Sequence, residues 1–255
     1  MCRWLAYSGR PRYLESLLFE PENSLIHQSL HAQRAVVTTN GDGFGVGWYG
    51  ERDLPGVYHE VLPAWNDSNL KSLSHQIRSP LFLAHVRAST GTETSRANCH
   101  PFSYGPWLFM HNGQIGGYER VRRRLDSLVP DELYSRRKGT TDSELIFYLL
   151  FRYGLEDDAP GALRKTLQAV VYAMAEAGVD DPFRVTAALT DGITLAALRF
   201  STDERPPSLY WSEIDGALTV VSEPLDAQAD HWNEVPTSHL LTVENGHVAL
   251  QRFAL

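Results

Sequence analysis

The alternation of apolar and polar positions divides the chain into a strand-rich beginning, a helical middle and a strand-rich end. Near the N-terminus, RWLAYS at 3–8 predicts a short strand, and residues 13–19, between Pro11 and Pro21, predict a short helix. Strand-forming residues predict further strands at 44–49, 57–62, 81–87 and 107–111, and Asp67 or Ser68 can cap a helix over 70–77. We therefore expect a sheet to hold the start of the chain.

The central part of the chain has helical periodicity. Val121, Leu125 and Leu128 have helical spacing within 118–128, and a third helix is predicted at about 160–177. Between them, Thr141-Asp142-Ser143-Glu144 is a capping-box pattern before the apolar run LIFYLL.

After the helices, the pattern returns to strands. The segments VTAALT and ITLAALRF flank Asp191-Gly192, which predicts a hairpin, and LTVVS and LLTVENGHVALQRF supply more strands, with Asn245-Gly246 between the last two. Strands around a helical middle predict an α+β fold with largely antiparallel sheets. Because no internal repeat, linker or low-complexity segment interrupts it, we expect a single domain over residues 1–255.

Composition and charge narrow the class of protein. Apolar residues make up 43% and charged residues 21%, which is typical of a folded globular chain. The net charge of −8 gives no general footprint for nucleic acid, so we interpret the basic clusters at 122–124 and 136–138 as solvated faces. No apolar stretch approaches a membrane span and no secretory signal pattern is found. With only two cysteines, Cys2 and Cys99, a reducing compartment and a cytoplasmic location are expected.

Cys2 is the most informative candidate for chemistry. Methionine is normally trimmed before a small second residue, so removal of Met1 would leave Cys2 at the N-terminus with a thiol and a free α-amine. An α-amine has a pKa near 7.7–8.0 and can accept the thiol proton at neutral pH. The alternative is that position 2 holds a small residue that happens to be cysteine.

Arg87 lies at the end of a predicted strand, in HVRASTG. An arginine there can clamp a substrate carboxylate through two parallel N–H bonds, which lysine cannot reproduce. The alternative is an ordinary surface ion pair. In NCHPF, which follows, His100 by itself is typical of a structural turn histidine.

The motif His111-Asn112-Gly113 follows the apolar segment WLFM. The Asn112 side-chain amide and the Gly113 backbone N–H could together stabilise a developing oxyanion. The alternative is a hairpin turn, for which Asn-Gly is the commonest dipeptide.

Asp142, in GTTDSE, could bind an α-ammonium group, although a carboxylate at a helix start is also favoured by the helix dipole alone. Metal binding is a competing interpretation of the potential ligands. These are His85, Cys99, His100, His111 and Asp142. Because their spacing matches neither a paired CxxC scheme nor HExxH, we expect no metal.

Taken in order, the motifs MCRWLAY, NGDGFGVGWY, HVRAST, NCHPF, HNGQI and GTTDSE resemble those of the class II glutamine amidotransferases, which are N-terminal-nucleophile hydrolases. The resemblance implies a four-layer αββα sandwich and no cofactor. It implies that Cys2 attacks the glutamine side-chain amide, forms a thioester and releases ammonia, after which water frees glutamate. The implied roles are carboxylate binding by Arg87 with help from Thr90, an oxyanion hole from Asn112 and Gly113, α-ammonium binding by Asp142, and lining of the nucleophile loop by Gly43.

Two departures from the family pattern are Asp42-Gly43, where many members have Arg-Gly, and Thr90-Gly91, where many have Thr-His. We expect no synthase domain, and MCRWLAYSG, DGFGVGWY and RASTG look most like the amidohydrolases of ergothioneine biosynthesis. We therefore expect a hydrolase that removes glutamate from a glutamine or γ-glutamyl amide. The alternatives are an ammonia-supplying subunit for a separate synthase partner and a non-catalytic binding protein, which the intact motifs disfavour. A homo-oligomer is left open.

Overall fold

The computed structural model describes residues 2–32, 39–89, 93–244 and 246–255 of the chain. The strands of this part are β1 (Arg3–Tyr13), β2 (Phe44–Trp48), β3 (Gly56–Glu60), β4 (Arg78–Val86), β5 (Phe102–Tyr104), β6 (Trp107–Gln114), β7 (Arg184–Thr190), β8 (Leu195–Ser201), β9 (Tyr210–Ile214), β10 (Ala217–Val221), β11 (Asn233–Glu234), β12 (His239–Glu244) and β13 (His247–Arg252). The helices are α1 (Glu15–Leu18), α2 (Leu25–His31), α3 (Ser68–Gln76), α4 (Tyr118–Asp126), α5 (Asp131–Tyr134), α6 (Asp142–Arg152) and α7 (Ala159–Glu176).

The strands form two sheets. The first has the order β11-β9-β10-β1-β4-β2-β3, and the second has the order β13-β12-β8-β7-β6-β5. Neighbouring strands in the described part of the chain pair antiparallel. β1 therefore lies in the interior of its sheet, where Trp4 is opposite His85 of β4 and Leu5 is opposite Val221 of β10.

Side-chain alternation along the strands produces three apolar layers. Trp4 and Ala6 of β1 belong to the core between the two sheets, whereas Leu5 and Tyr7 face the outer core that includes residues of α1, α2 and α3. A third core joins the second sheet to the central helices, where the rings of Phe109 and Phe147 stack with centroids 5.6 Å apart. This arrangement confirms the predicted α+β, four-layer αββα sandwich. No helix in the described ranges is long and apolar enough to cross a membrane.

Most of the elements predicted from periodicity are present. α3, α4, α6 and α7 all form, and Asp67 caps α3 by accepting a hydrogen bond from the Leu70 N–H at 2.6 Å. The helix predicted at 13–19 is reduced to α1, because Arg12 and Tyr13 remain in β1 and pair with β4. The sequence patterns did not reveal α2, α5, β5, β9 or β11.

The strand predicted to end at His111 continues through Gln114, which corrects the position of Asn112 and Gly113. These two residues pair with Thr186 and Val185 of β7, so Asn-Gly is not a hairpin turn here. By contrast, Asp191-Gly192 does join two strands, since β7 and β8 pair up to Thr190 and Leu195.

The second basic cluster is only partly a solvated face. The Arg137 side chain is 8% exposed, forms an ion pair with Asp126 and donates a hydrogen bond to the Tyr118 hydroxyl at 2.9 Å. Its neighbours Arg136 and Lys138 are exposed, as predicted. Arg137 thus packs beneath α4 because its carboxylate partner comes from that helix, a pairing that the local sequence does not show.

Candidate active site

Predicted site residues continue the inward-facing positions of several strands. Trp4 of β1, Leu83 of β4 and Met110 of β6 all pack in the core between the sheets. Side chains two residues apart in a strand point to the same face. Counting in steps of two from these positions leads to Cys2, Arg87 and Asn112. The fold therefore directs these side chains toward the space between the sheets, at the ends of their strands.

The thiol of Cys2 lies against the backbone that follows Arg87. Its Sγ donates to the carbonyl oxygen of Ala88 at 3.6 Å and accepts from the Ala88 N–H at 3.4 Å. Burial raises the pKa of the Cys2 thiol above its ordinary value. The thiol is therefore largely protonated at neutral pH, and a nearby base is needed to generate the thiolate. Met1 lies outside the described residues.

Arg87 is a buried residue, which excludes the surface ion pair considered from the sequence. It is 3% exposed, and its guanidinium donates to the carbonyl oxygen of Asp42 at 3.2 Å, to the Ser89 hydroxyl at 3.3 Å and to the Glu93 carbonyl oxygen at 3.2 Å. These contacts fix the plane of the guanidinium beside the nucleophile, as a two-pronged carboxylate clamp requires.

Asp42 and Gly43 form hydrogen bonds with the backbone of Arg87 and Ser89. The Arg87 N–H donates to the Gly43 carbonyl oxygen at 2.8 Å, and the Asp42 carboxylate accepts from the Ser89 N–H at 2.7 Å. Gly43 has φ +106°, and a Cβ there would lie 2.8 Å from Sγ of Cys99. Only glycine suits this position, and its lining of the nucleophile loop stays a prediction. Thr90, the predicted helper of Arg87, lies outside the described residues.

Cys99 is the second thiol of the chain. It is fully buried, and burial raises the pKa of its thiol to about 11. Burial disfavours the thiolate of both cysteines, but Cys2 is only partly buried and is the residue that gains a free α-amine when Met1 is removed, so Cys2 stays the candidate nucleophile.

Asn112 supplies a buried amide donor. Its side chain is 2% exposed, and Nδ2 has no hydrogen-bond acceptor among the residues that the structure describes. A buried donor without an acceptor is costly, so such groups in native proteins require an explanation. An oxyanion that forms only during the reaction would satisfy this one.

Gly113, the second predicted oxyanion donor, lies where a side chain does not fit. It has φ +151°, and a Cβ at this position would overlap the carbonyl oxygen of Arg184 in β7. The absence of a side chain therefore allows β6 and β7 to approach closely immediately after Asn112.

Asp142 is the first residue of α6, whose N-cap is Thr141. The Asp142 carboxylate accepts from the Ile115 N–H at 2.8 Å and from the Ser143 hydroxyl at 3.3 Å. The carboxylate thus connects the end of β6 to the start of α6. Since an ionised carboxylate has about four lone-pair sites, acceptor capacity remains for an ammonium group.

The capping box forms only in part. Thr141 accepts from the Glu144 N–H at 3.2 Å as predicted, but the Glu144 carboxylate accepts from the N–H groups of Lys138 and Gly139 at 2.9 and 2.7 Å. Glu144 therefore orders the loop that leads to Asp142.

A chain of hydrogen bonds joins Arg87 to the start of α6. The carbonyl oxygen of Glu93 accepts from both Arg87 and the Asn98 side chain, the latter at 2.8 Å. The Asn98 amide oxygen in turn accepts from the Thr140 N–H at 2.9 Å. Thr140 is two residues before Asp142, so these three hydrogen bonds connect the predicted carboxylate-binding residue to the segment that carries the predicted ammonium-binding residue.

Two histidines lie buried behind Arg87. The rings of His85 and His100 have centroids 4.2 Å apart, and none of their ring nitrogens has a hydrogen-bond partner within the described ranges. Burial and the nearby Arg87 lower the pKa of His85 to about 3, and burial and His85 lower the pKa of His100 well below its ordinary value. Both rings are therefore neutral at physiological pH. The described residues contain no group of three metal-ligand side chains.

Sequence reasoning missed the residues that connect the motifs. Asn98 lies within the quoted motif NCHPF, but its contact with Thr140 has no local signal. Thr186 donates to the Asn112 carbonyl oxygen at 3.1 Å and accepts from the Trp4 indole at 3.4 Å, yet in the sequence it is one polar residue in an apolar strand. Arg3 is a charged residue in the mostly apolar strand segment RWLAYS. A charge in a buried strand indicates a partner of opposite charge, and this signal was present in the sequence.

Comparison with known proteins adds an independent line of evidence. The family model for class-II glutamine amidotransferases matches residues 18–203. The chain is 34% identical to the probable glutamine amidotransferase DUG3 of Saccharomyces cerevisiae, over 98% of this chain and 84% of that protein. It is 30% identical to the gamma-glutamyl-hercynylcysteine sulfoxide hydrolase of Mycolicibacterium smegmatis, over 98% and 99% of the two chains.

Solved structures give the same result. A glutamine aminotransferase class-II domain protein from Silicibacter pomeroyi matches the whole of both chains with a TM-score of 0.80 and 38% identity. A glutamine phosphoribosylpyrophosphate amidotransferase from B. subtilis matches all of this chain and 50% of its own, with a TM-score of 0.67. At 14% identity, the latter likeness concerns the fold alone.

Proposed function

Because the chain belongs to the class II glutamine amidotransferases and is an amidohydrolase of that type, we propose that it acts as a stand-alone hydrolase of γ-glutamyl amides with Cys2 as nucleophile. The contact that supports this most directly joins Sγ of Cys2 to the backbone of Ala88, at 3.4 and 3.6 Å. It holds the nucleophile next to Arg87, the residue proposed to bind the substrate carboxylate.

The reaction begins with proton transfer from the Cys2 thiol. Once Met1 has been removed, the α-amine of Cys2 accepts this proton, and the sulfur attacks the γ-carbonyl carbon of the substrate. The carbonyl oxygen becomes an oxyanion that accepts from Asn112 Nδ2 and the Gly113 N–H. The α-ammonium then protonates the leaving amine as the C–N bond breaks, which leaves a γ-glutamyl thioester on Cys2. Water hydrolyses the thioester and frees glutamate and the thiol.

The glutamyl head group carries a carboxylate and an α-ammonium. Arg87 binds the carboxylate, with Thr90 assisting, and Asp142 accepts from the ammonium. The hydrogen bonds from Arg87 through Glu93 and Asn98 to Thr140 support this assignment, since they connect Arg87 to the segment that leads to Asp142.

The proposal about the leaving amine is supported by the name of one relative. The Mycolicibacterium smegmatis hydrolase, which matches over nearly its whole length, has a γ-glutamyl compound in its name rather than glutamine. We therefore propose that a γ-glutamyl amide with a bulky amine is hydrolysed with a higher kcat/KM than glutamine. Both substrates share the head-group contacts, so the difference comes from contacts to the leaving amine.

An ammonia-supplying subunit is the second candidate function. The 34% identity to a probable yeast glutamine amidotransferase favours it. In that case glutamine is the substrate, and a separate synthase partner raises the activity when it binds.

The deciding experiment compares kcat/KM for glutamine and a panel of γ-glutamyl amides, with and without cell extract. The Cys2→Ser variant serves as the matched control for background hydrolysis. Preference for a bulky γ-glutamyl amide without extract supports the stand-alone hydrolase. Preference for glutamine, strongly stimulated by extract, would instead establish the ammonia-supplying subunit.

A further inference from the structure

Arg3, the residue that follows the candidate nucleophile Cys2, forms a buried ion pair. Its side chain is 0% exposed, and Nε donates to Oε1 of Glu223, which is 1% exposed, at 2.6 Å. From the same guanidinium, Nη1 donates to the backbone carbonyl oxygen of Cys2 at 2.8 Å. One buried side chain therefore connects the backbone of Cys2 to a carboxylate 220 residues away in sequence.

The ion pair continues the pairing of β1 with β10. The regular ladder ends at Leu5 and Val221, and one step beyond it the Trp4 N–H donates to the Ser222 hydroxyl at 3.0 Å while the Ser222 N–H donates to the Trp4 carbonyl oxygen at 3.0 Å. A further step in the same register places Arg3 opposite Glu223. Side chains thus extend the connection between these segments to the start of the chain.

Stability alone is a poor reason for such a pair. A fully buried ion pair often contributes no more than a well-packed apolar pair, because both charges lose their hydration. In addition, Nη2 of Arg3 has no hydrogen-bond partner in the part of the chain that the structure describes. The pair therefore carries a desolvation cost that an apolar residue in this core would avoid.

We propose that Arg3 and Glu223 are positioning residues that hold the N-terminal Cys2 for attack, an inference that rests on the proposed function. Without Met1, Cys2 is attached to the protein through a single peptide group. Arg3 fixes the carbonyl of that group, and Glu223 fixes Arg3. The Cα of Cys2, which carries both the thiol and the α-amine, is thereby restricted to one position relative to Arg87 and Asn112.

Two substitutions test Arg3 and Glu223 separately. Glu223→Gln keeps the shape of the side chain but removes its charge. Arg3→Lys keeps a positive charge, but one ammonium group cannot reproduce the two directions in which Nε and Nη1 donate. The control is Glu234→Gln, which makes the same chemical change in the Arg199 ion pair, where Glu234 is 56% exposed and remote from Cys2 in the sheet.

Four measurements are made on each full-length variant. Intact mass establishes that Met1 is removed, and thermal unfolding establishes that the protein is folded. Steady-state kinetics give kcat and KM for the preferred γ-glutamyl amide. The rate of alkylation of Cys2 by iodoacetamide between pH 6 and 9, with the site located by peptide mass spectrometry, reports the thiol without any substrate.

We expect both variants to lose about tenfold or more in kcat with KM within about twofold, because misplacement of a reacting group slows the chemical step. Alkylation of Cys2 should slow or shift in its pH dependence, and Glu234→Gln should match the wild type. The proposal would be overturned if folded Arg3→Lys and Glu223→Gln both have the kcat and the Cys2 alkylation rate of the wild type. If one variant does not fold, the result for the other decides. Absence of γ-glutamyl hydrolysis by the wild type would refute the proposed function, whereas alkylation would still test the positioning of Cys2.

Discussion

The indole Nε1 of Trp4 donates to the hydroxyl oxygen of Thr186 at 3.4 Å, and this hydroxyl donates to the carbonyl oxygen of Asn112 at 3.1 Å. The contact crosses the core between the two sheets. Trp4 is two residues from Cys2, so the strand that leads from the candidate nucleophile is coupled to the residue that supplies the candidate oxyanion donor. Packing between the sheets therefore sets the relative positions of the two groups.

Thr186→Val should weaken both stability and turnover. The change removes two buried hydrogen bonds and leaves the Trp4 N–H unpaired, which costs about 1–3 kcal/mol. A loss of about 2–4 °C in Tm per kcal/mol is expected for a chain of this size, together with a lower kcat. Thr190→Val is the matched control, since Thr190 lies in the same strand and accepts from Gly192. It should lower Tm without changing kcat, and equal loss of kcat in both variants would contradict the coupling.

Asn112→Ala should lower kcat by about 10²–10³, because loss of one oxyanion donor typically has this effect. KM should change little, since the donor acts as the tetrahedral intermediate forms. Asn112→Asp, which keeps the shape but replaces the amide donor with an acceptor, should be at least as inactive. Steady-state kinetics check both variants, and an effect confined to KM would be incompatible with an oxyanion role.

Arg87→Lys should raise KM although the charge is retained. Replacement of the two-pronged guanidinium removes a charge-assisted hydrogen bond worth about 1.5–3 kcal/mol, which corresponds to about tenfold or more in KM. The substitution can also remove the contacts of Arg87 with Asp42 and Glu93. The change in Tm measures that loss of stability, and the change in KM measures the loss of substrate binding. Arg96→Lys is the control, because the Arg96 side chain is 67% exposed and pairs with Glu60 at the surface. An unchanged KM for Arg87→Lys would remove Arg87 from the substrate site.

The active protein should lack Met1. An α-amine can accept the thiol proton only when Cys2 is the first residue, and burial, which raises the pKa of the thiol, makes this base necessary at neutral pH. Intact-mass measurement of purified, active enzyme checks the prediction. Full activity in a preparation that retains Met1 would show that another base is used.

Cys2→Ser should abolish most of the turnover with little change in Tm. The substitution is nearly isosteric, but a hydroxyl is a far poorer nucleophile than a thiol at neutral pH. Kinetics and thermal unfolding are the measurements. An unimpaired variant would direct attention to Cys99, the second cysteine of the chain, or to a metal.

The sequence by itself determined the elements whose signals are local. The apolar spacing around Val121 and Leu125 predicted α4, a cap at Asp67 or Ser68 predicted the start of α3, and Asp191-Gly192 predicted a hairpin, because periodicity, caps and turns depend on residues close together in the chain. The ordered motifs likewise indicated the family. Cys2, Arg87 and Asn112 were candidates because their chemistry belongs to the side chains themselves.

Tertiary structure decided whatever depends on partners distant in sequence. Asn112-Gly113 has the local chemistry of a turn, but pairing with Thr186 and Val185 keeps it in β6. Tyr13 stays in a strand because it pairs with Arg78. The same holds for Arg3, whose partner Glu223 lies 220 residues away. Each of these residues is stabilised by a partner that comes close only in the folded protein. A short stretch of sequence around the residue therefore does not reveal the partner.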